Sequence, residues 1–151
     1  MTSSIAPSVA RLSVSPENTA GTKEYDMQAF IGGSLAAVIA LAVFVMGTGP
    51  FWAPQGALGF GIPNSPIQDP AFRAWLRVKG VRDMASAVGI VILLVAGTPA
   101  LLGGLMLALA LIPIADAAIV LHSKGPKSAA YGVHAASAAV VLAAAVLLLT
   151  A

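Results

Sequence analysis

The sequence predicts an all-α protein: an integral membrane bundle of four transmembrane helices behind a disordered N-terminal tail. Three observations carry that expectation. Of 151 residues, 58% are apolar and only 9% are charged, where soluble domains average roughly a quarter charged. A mean hydropathy of +0.91 leaves too little polar surface to face water on every side. The apolar residues also gather in runs of about twenty, the length that a bilayer's hydrocarbon core demands of a helix.

The elements follow in order. Residues 1–26 form a polar tail, with Arg11, Glu17, Lys23, Glu24 and Asp26 among Ser, Thr and Pro, and such a composition predicts disorder. A cleavable signal would bring its apolar centre earlier, so the first helix reads as an uncleaved anchor. The transmembrane domain then occupies residues 27–151. Its first span covers about 27–46 and is expected to end at Gly47, Gly49 and Pro50. The second opens after Asp69 and Pro70, a proline suited to a first helical turn, and reaches Ala96 or Gly97. Its first half is charged and its second half is purely apolar. Thr98 and Pro99 turn the chain into a third span over about 100–121, which contains Pro113 and Asp116. His122 to Lys127 make a polar turn, and a fourth span over about 128–150 carries His134.

The spans should pack through small residues. Gly32 with Ala36, Gly33 with Ala37, and Ala85 with Gly89 recur at four-residue spacing, which lets helix backbones approach closely in lipid. The formal charge is +2, without a basic run or aromatic-interleaved patch, so nucleic acid is not an expected partner. The absence of cysteine excludes disulfides, thiolate catalysis and Cys-based metal sites. Arg73, Arg77, Lys79, Arg82, Lys124 and Lys127 lie towards one face of the membrane. The positive-inside rule therefore places the 1–2 and 3–4 connections in the cytoplasm and both termini outside.

Antiparallel register gathers the ionisable groups. Asp83 lies about fifteen residues before the 98–99 turn and Asp116 about seventeen after it, so both reach a similar depth. Asp116 and His134 each lie about nine residues from Gly125, roughly 13 Å in from that turn. On the second helix Lys79, Arg82 and Asp83 share a face, which Ser86 continues. Tyr131 stands one turn from His134. Charges at such depth should face inward and pair, and Arg82 or Lys79 with Asp116 is the pairing that the register favours. A structural salt-bridge layer is the plain alternative to a functional site. The 1–2 connection, about twenty-three residues long where short links are usual, is apolar and aromatic with Phe51, Trp52, Leu58, Phe60 and Ile62. It is expected to lie partly buried over the mouth of this layer, with Trp52 near the headgroups. A simple interfacial loop is the other reading.

Several of these segments resemble the domain of unknown function 4267 family, small four-helix membrane proteins of a broader DoxX-like group. The resemblance covers about residues 27–150. It rests on GFGIP (residues 59–63), FRAWLRVKGVRDMASAVGI (72–90) and LIPIADAAIVL (111–121). The family's Lys-Gly-x-Arg-Asp and Pro-x-x-Asp patterns match Lys79, Gly80, Arg82, Asp83, Pro113 and Asp116. The resemblance implies the fold but no activity. Fungal members resemble accessory genes of secondary metabolism, an association of context only.

Three functions fit these residues. In an acid–base enzyme of isomerase or cyclase type, acting on a lipophilic small molecule, Asp116 or Asp83 would donate a proton with His134 as partner base. Lys79, Arg82 and Tyr131 would then hold the substrate. In a small-molecule or proton-coupled transport module, an Asp–Arg pair would open and close with protonation, and a homodimer through the Gly/Ala faces would supply the second half. In a membrane scaffold the charges would be structural. Two cations beside the carboxylates disfavour a metal, and nothing in the sequence points to a cofactor.

Overall fold

The computed structural model describes residues 16–151. The start of the expected tail, residues 1–15, lies outside the described residues. From Pro16 onward the chain is already helical: α1 runs Pro16–Trp52, beginning well before Met27 and continuing past Gly47 and Gly49. The breakers expected to end the first span cost it one ladder bond at Pro50 and do not stop it. Ala53 N–H still reaches the Gly49 carbonyl at 2.7 Å. Thr48 Oγ1 donates to the Val45 carbonyl at 2.7 Å, and Trp52 Nε1 donates to Thr48 Oγ1 at 3.3 Å.

A 3-10 helix, Pro54–Phe60, follows and closes on Gly61, whose φ of 95° is left-handed. The next long helix, α2, spans Pro70–Ala96. Asp69 caps it by accepting from Ala71 N–H at 2.8 Å, with Pro70 in the first turn. Thr98 caps α3 (Pro99–Leu109) through Leu101 N–H at 3.3 Å. α3 passes at Ala110 into α4 (Leu111–His122). Pro113 supplies the reason for that break, since it has no N–H to offer the Leu109 carbonyl one turn earlier. The last rod comprises α5 (Lys127–Ala129), a π-helical turn (Ala130–Ala135) and α6 (Ala136–Leu149). Among the described residues there is no strand, so the protein is all-α.

Three helices are long and apolar enough to cross a membrane: Lys23–Trp52, Pro99–His122 and Lys127–Leu149. α2 has the length, at 27 residues, but Arg73, Arg77, Lys79, Arg82 and Asp83 charge its first half. The side-chain arrangement agrees with a lipid solvent. Phe30, Leu41 and Val95 are 71%, 67% and 82% exposed, whereas the residues turned inward are mostly small. Ala36, Ala40, Ala87, Ala144 and Ala145 form the core with Ile90, Met106 and Leu148. An alanine core lets helix axes approach, which is how helices gain dispersion contact where lipid removes the hydrophobic drive. Gly47 and Gly80 mark the closest crossing, between α1 and α2. A Cβ on Gly80 would run into the Gly47 carbonyl oxygen, and one on Gly47 would meet the Gly80 carbonyl oxygen at 2.7 Å.

A second, smaller cluster sits at the end where α4 turns into α5. Val120, Ala129 and Ala130 are buried there, with Phe60 and Ile62 packed on them. The connection between α1 and α2 is thereby folded down onto the α4–α5 hairpin. Gly61 lies so close to Val120 and Ala129 that a Cβ would overlap Ala129 Cβ at 2.6 Å. This docking brings the loop to the ionisable side chains.

Candidate functional site

The π-helical turn carries His134. A π turn widens the helix by one residue and re-aims the side chains around it, and such turns are frequent at functional sites. Here it turns His134 fully inward, to 5% exposure. Its Nε2 lies 2.8 Å from the carbonyl oxygen of Phe60. A carbonyl can only accept, so Nε2 carries the proton in this bond. That leaves Nδ1 facing Asp116 Oδ2 at 3.9 Å. With Nε2 protonated, these two atoms face each other favourably only when one further proton lies between them, on the carboxyl or on the ring. The separation is longer than a direct hydrogen bond.

Phe60 joins this pair to a second one. Its ring meets His134 edge-on, with centroids 4.5 Å apart and planes at 61°, and Lys79 Nζ stands 5.4 Å from its centroid. Lys79 Nζ in turn donates to Asp83 Oδ2 at 2.6 Å, one helical turn along α2. Burial is graded across the cluster. The side chains of Lys79, Asp83, Asp116 and His134 are 39%, 15%, 20% and 7% exposed, so the lysine opens outward and the histidine closes the interior. The cluster thus holds one ammonium, two carboxyls and one imidazole around a single aromatic ring.

Four of the six candidate residues read from the sequence meet here: Lys79, Asp83, Asp116 and His134. Arg82 and Tyr131 do not. Both are exposed, and among the described residues Arg82 makes no ion pair. The cross-helix pairing favoured by register, Arg82 or Lys79 with Asp116, is replaced by Lys79 with Asp83. The i,i+4 geometry already places those two side chains together. Ser86, expected to extend the polar face, spends its hydroxyl on the Arg82 carbonyl at 3.0 Å. Among the described residues no three His, Asp or Glu side chains are placed to share a metal ion.

Two features escaped the sequence. The role of Phe60 as hub depends on a backbone carbonyl, which no side-chain pattern announces. Only its flanking glycines, Gly59 and Gly61, hinted at a backbone in close contact. The π turn leaves no trace in an apolar helix of this kind.

A shallow groove of about 330 Å³ is bounded by Leu58, Gly59, Gly61, Pro126, Ser128, Ala129 and Val133. Gly59 and Val133 are the sequence neighbours of Phe60 and His134. No curated protein and no solved structure matches the chain. A family model does: residues 40–148 match the Domain of unknown function (DUF4267), and the chain belongs to that family.

Proposed function

We propose that this protein is a four-span membrane bundle, with α2 as the additional span, and that it transfers a proton to or from a lipophilic small molecule at Asp116 and His134. The observation that carries this reading is the geometry of His134. Its Nε2 is committed to Phe60, which leaves its Nδ1 facing the Asp116 carboxyl across a 3.9 Å gap. An acid and a base so placed, largely screened from water, suit isomerisation or proton-initiated cyclisation. Lys79, with Asp83 beside it, supplies a cation for a developing oxyanion. Arg82 and Tyr131, being turned outward, would take part only by moving inward around a substrate. A place in secondary metabolism and the DoxX-like grouping belong to the same proposal.

The test compares metabolite extracts of cells bearing the intact chain, no chain, and Asp116→Asn, with size-exclusion and circular dichroism of the purified variant to establish its fold. A folded variant that accumulates the same compound as the deletion supports the reading, and the compound gives the substrate class. A folded variant indistinguishable from the intact chain makes the charged layer structural and points to a scaffold. Accumulation that appears only when a proton gradient is imposed or collapsed assigns the pair to transport.

A further inference from the structure

The turn after α4 is built in an unusual way. Gly125 N–H bonds the Val120 carbonyl at 2.8 Å and Lys124 N–H bonds the Leu121 carbonyl at 3.0 Å, the paired closure of a Schellman motif. In that motif the left-handed position normally belongs to glycine, because any Cβ is penalised there. Here the left-handed residue is Lys124, with φ of 57°. Glycine stands one place later, at 125, where the docked loop demands it: a Cβ would strike the carbonyl oxygen of Gly61. The second glycine is therefore explained by packing, and the lysine is not. A residue held in a penalised conformation at a surface turn points to a use for its side chain.

Lys124 lies two residues before Pro126, which lines the groove together with Ser128, Leu58, Ala129 and Val133. Lys124 and Lys127 are both exposed. The groove's lining is mostly apolar. Its volume of about 330 Å³ is at the lower end of the range for small-molecule sites. That is room for one chain or a small ring system, and not for both chains of a phospholipid.

We propose that this groove binds a single-chain anionic amphiphile, its apolar body against Leu58, Ala129 and Val133 and its carboxylate or phosphate held by Lys124, with Lys127 beside it. This deepens the proton-transfer reading by naming the class of molecule it would act on, and it rests on that reading only for what becomes of the ligand once bound. Binding itself is separable from turnover.

The experiment measures equilibrium binding of radiolabelled dodecanoate to the full chain in phosphatidylcholine nanodiscs, with empty nanodiscs subtracted. Saturable binding is expected for the intact protein and for Asp116→Asn, because Asp116 is not among the residues that line the groove; loss of turnover with binding retained would concern the first reading alone. Lys124→Gly should weaken binding roughly tenfold, the loss of one charge-assisted contact, while melting no lower than the intact protein because glycine suits the left-handed position. Lys124→Arg should retain most of the affinity, dodecyl phosphate should compete, dodecanol should not, and Val133→Trp, at an exposed lining position, should fill the groove and abolish binding. The proposal is overturned if Lys124→Gly binds as tightly as the intact chain, if dodecanol competes equally, or if binding does not saturate. Full displacement by phosphatidylglycerol in the disc would identify a bilayer lipid as the occupant and overturn it too.

Discussion

His134 donates its Nε2 proton to the carbonyl of Phe60 across 2.8 Å, linking residues separated by 74 positions. The bond fastens the 3-10 helix of the first connection to the π turn of the last rod. It satisfies a backbone acceptor that the fold has placed beside apolar side chains, where an unmatched carbonyl is expensive. His134→Ala should therefore destabilise the protein by about 1–3 kcal/mol for the stranded acceptor. His134→Gln, whose amide can still donate, should recover much of that loss. Thermal unfolding in detergent reads the difference, and limited proteolysis near residues 54–60 reports whether the connection has lifted. Equal melting of the alanine variant and the intact protein would mean that the bond contributes nothing.

The α1–α2 crossing gives a sharper contrast. Gly47 and Gly80 face each other backbone to backbone, and an added methyl on either collides with the other's carbonyl oxygen. Backbone cannot swing aside as a side chain can, so Gly80→Ala should cost about 1–3 kcal/mol. Gly104 meets nothing within 4 Å, and alanine there should be neutral or should stabilise α3 by up to about 1 kcal/mol. Unfolding of the two alanine variants side by side tests packing against propensity, and similar losses at both sites would refute the close crossing.

What the sequence disclosed and what it withheld divide along physical lines. Helix limits after Asp69 and Pro70 were legible because capping is local chemistry, and the depth match of Asp116 with His134 was legible because helical rise is constant. The true partner of Lys79 was not. Register gives depth and not azimuth, and Arg82, on the same turn as Lys79, faces outward. Pro50 misled because a helix-breaking residue near a helix end forfeits one bond only, a loss that the flanking turn can absorb. Phe60 could not have been chosen from the five apolar residues of its loop, since its carbonyl and the left-handed Gly61 set its role.

Within the cluster, the two pairs should answer differently to substitution. Lys79 and Asp83 form a short ion pair whose side chains are 39% and 15% exposed, so partial solvation limits its strength. A double-mutant cycle with Lys79→Met and Asp83→Asn should give a coupling of roughly 1 kcal/mol. Arg82→Gln and Tyr131→Phe, altering exposed side chains, should each stay within about 0.5 kcal/mol of the intact protein. A large coupling between Arg82 and Asp116 in the same format would restore the cross-helix pair that register favours.

The number of spans is open to direct measurement because the chain contains no cysteine, so every introduced thiol reports alone. Exposed positions are available at each turn: Gln68 before α2, Ala100 after it, Ser123 after α4 and Thr150 at the end of α6. If α2 crosses the membrane, Gln68→Cys and Ser123→Cys should react with an impermeant maleimide from one side, and Ala100→Cys and Thr150→Cys from the other. By the positive-inside rule, the clustering of Arg73, Arg77, Lys124 and Lys127 predicts the cytoplasm as the side from which the first two react. Should α2 instead lie along the surface, Ala100 would label from the same side as Gln68. The charged half of α2 would then sit at the headgroups, and Lys79 and Asp83 would meet water directly, removing the apolar surroundings that proton transfer at Asp116 and His134 requires.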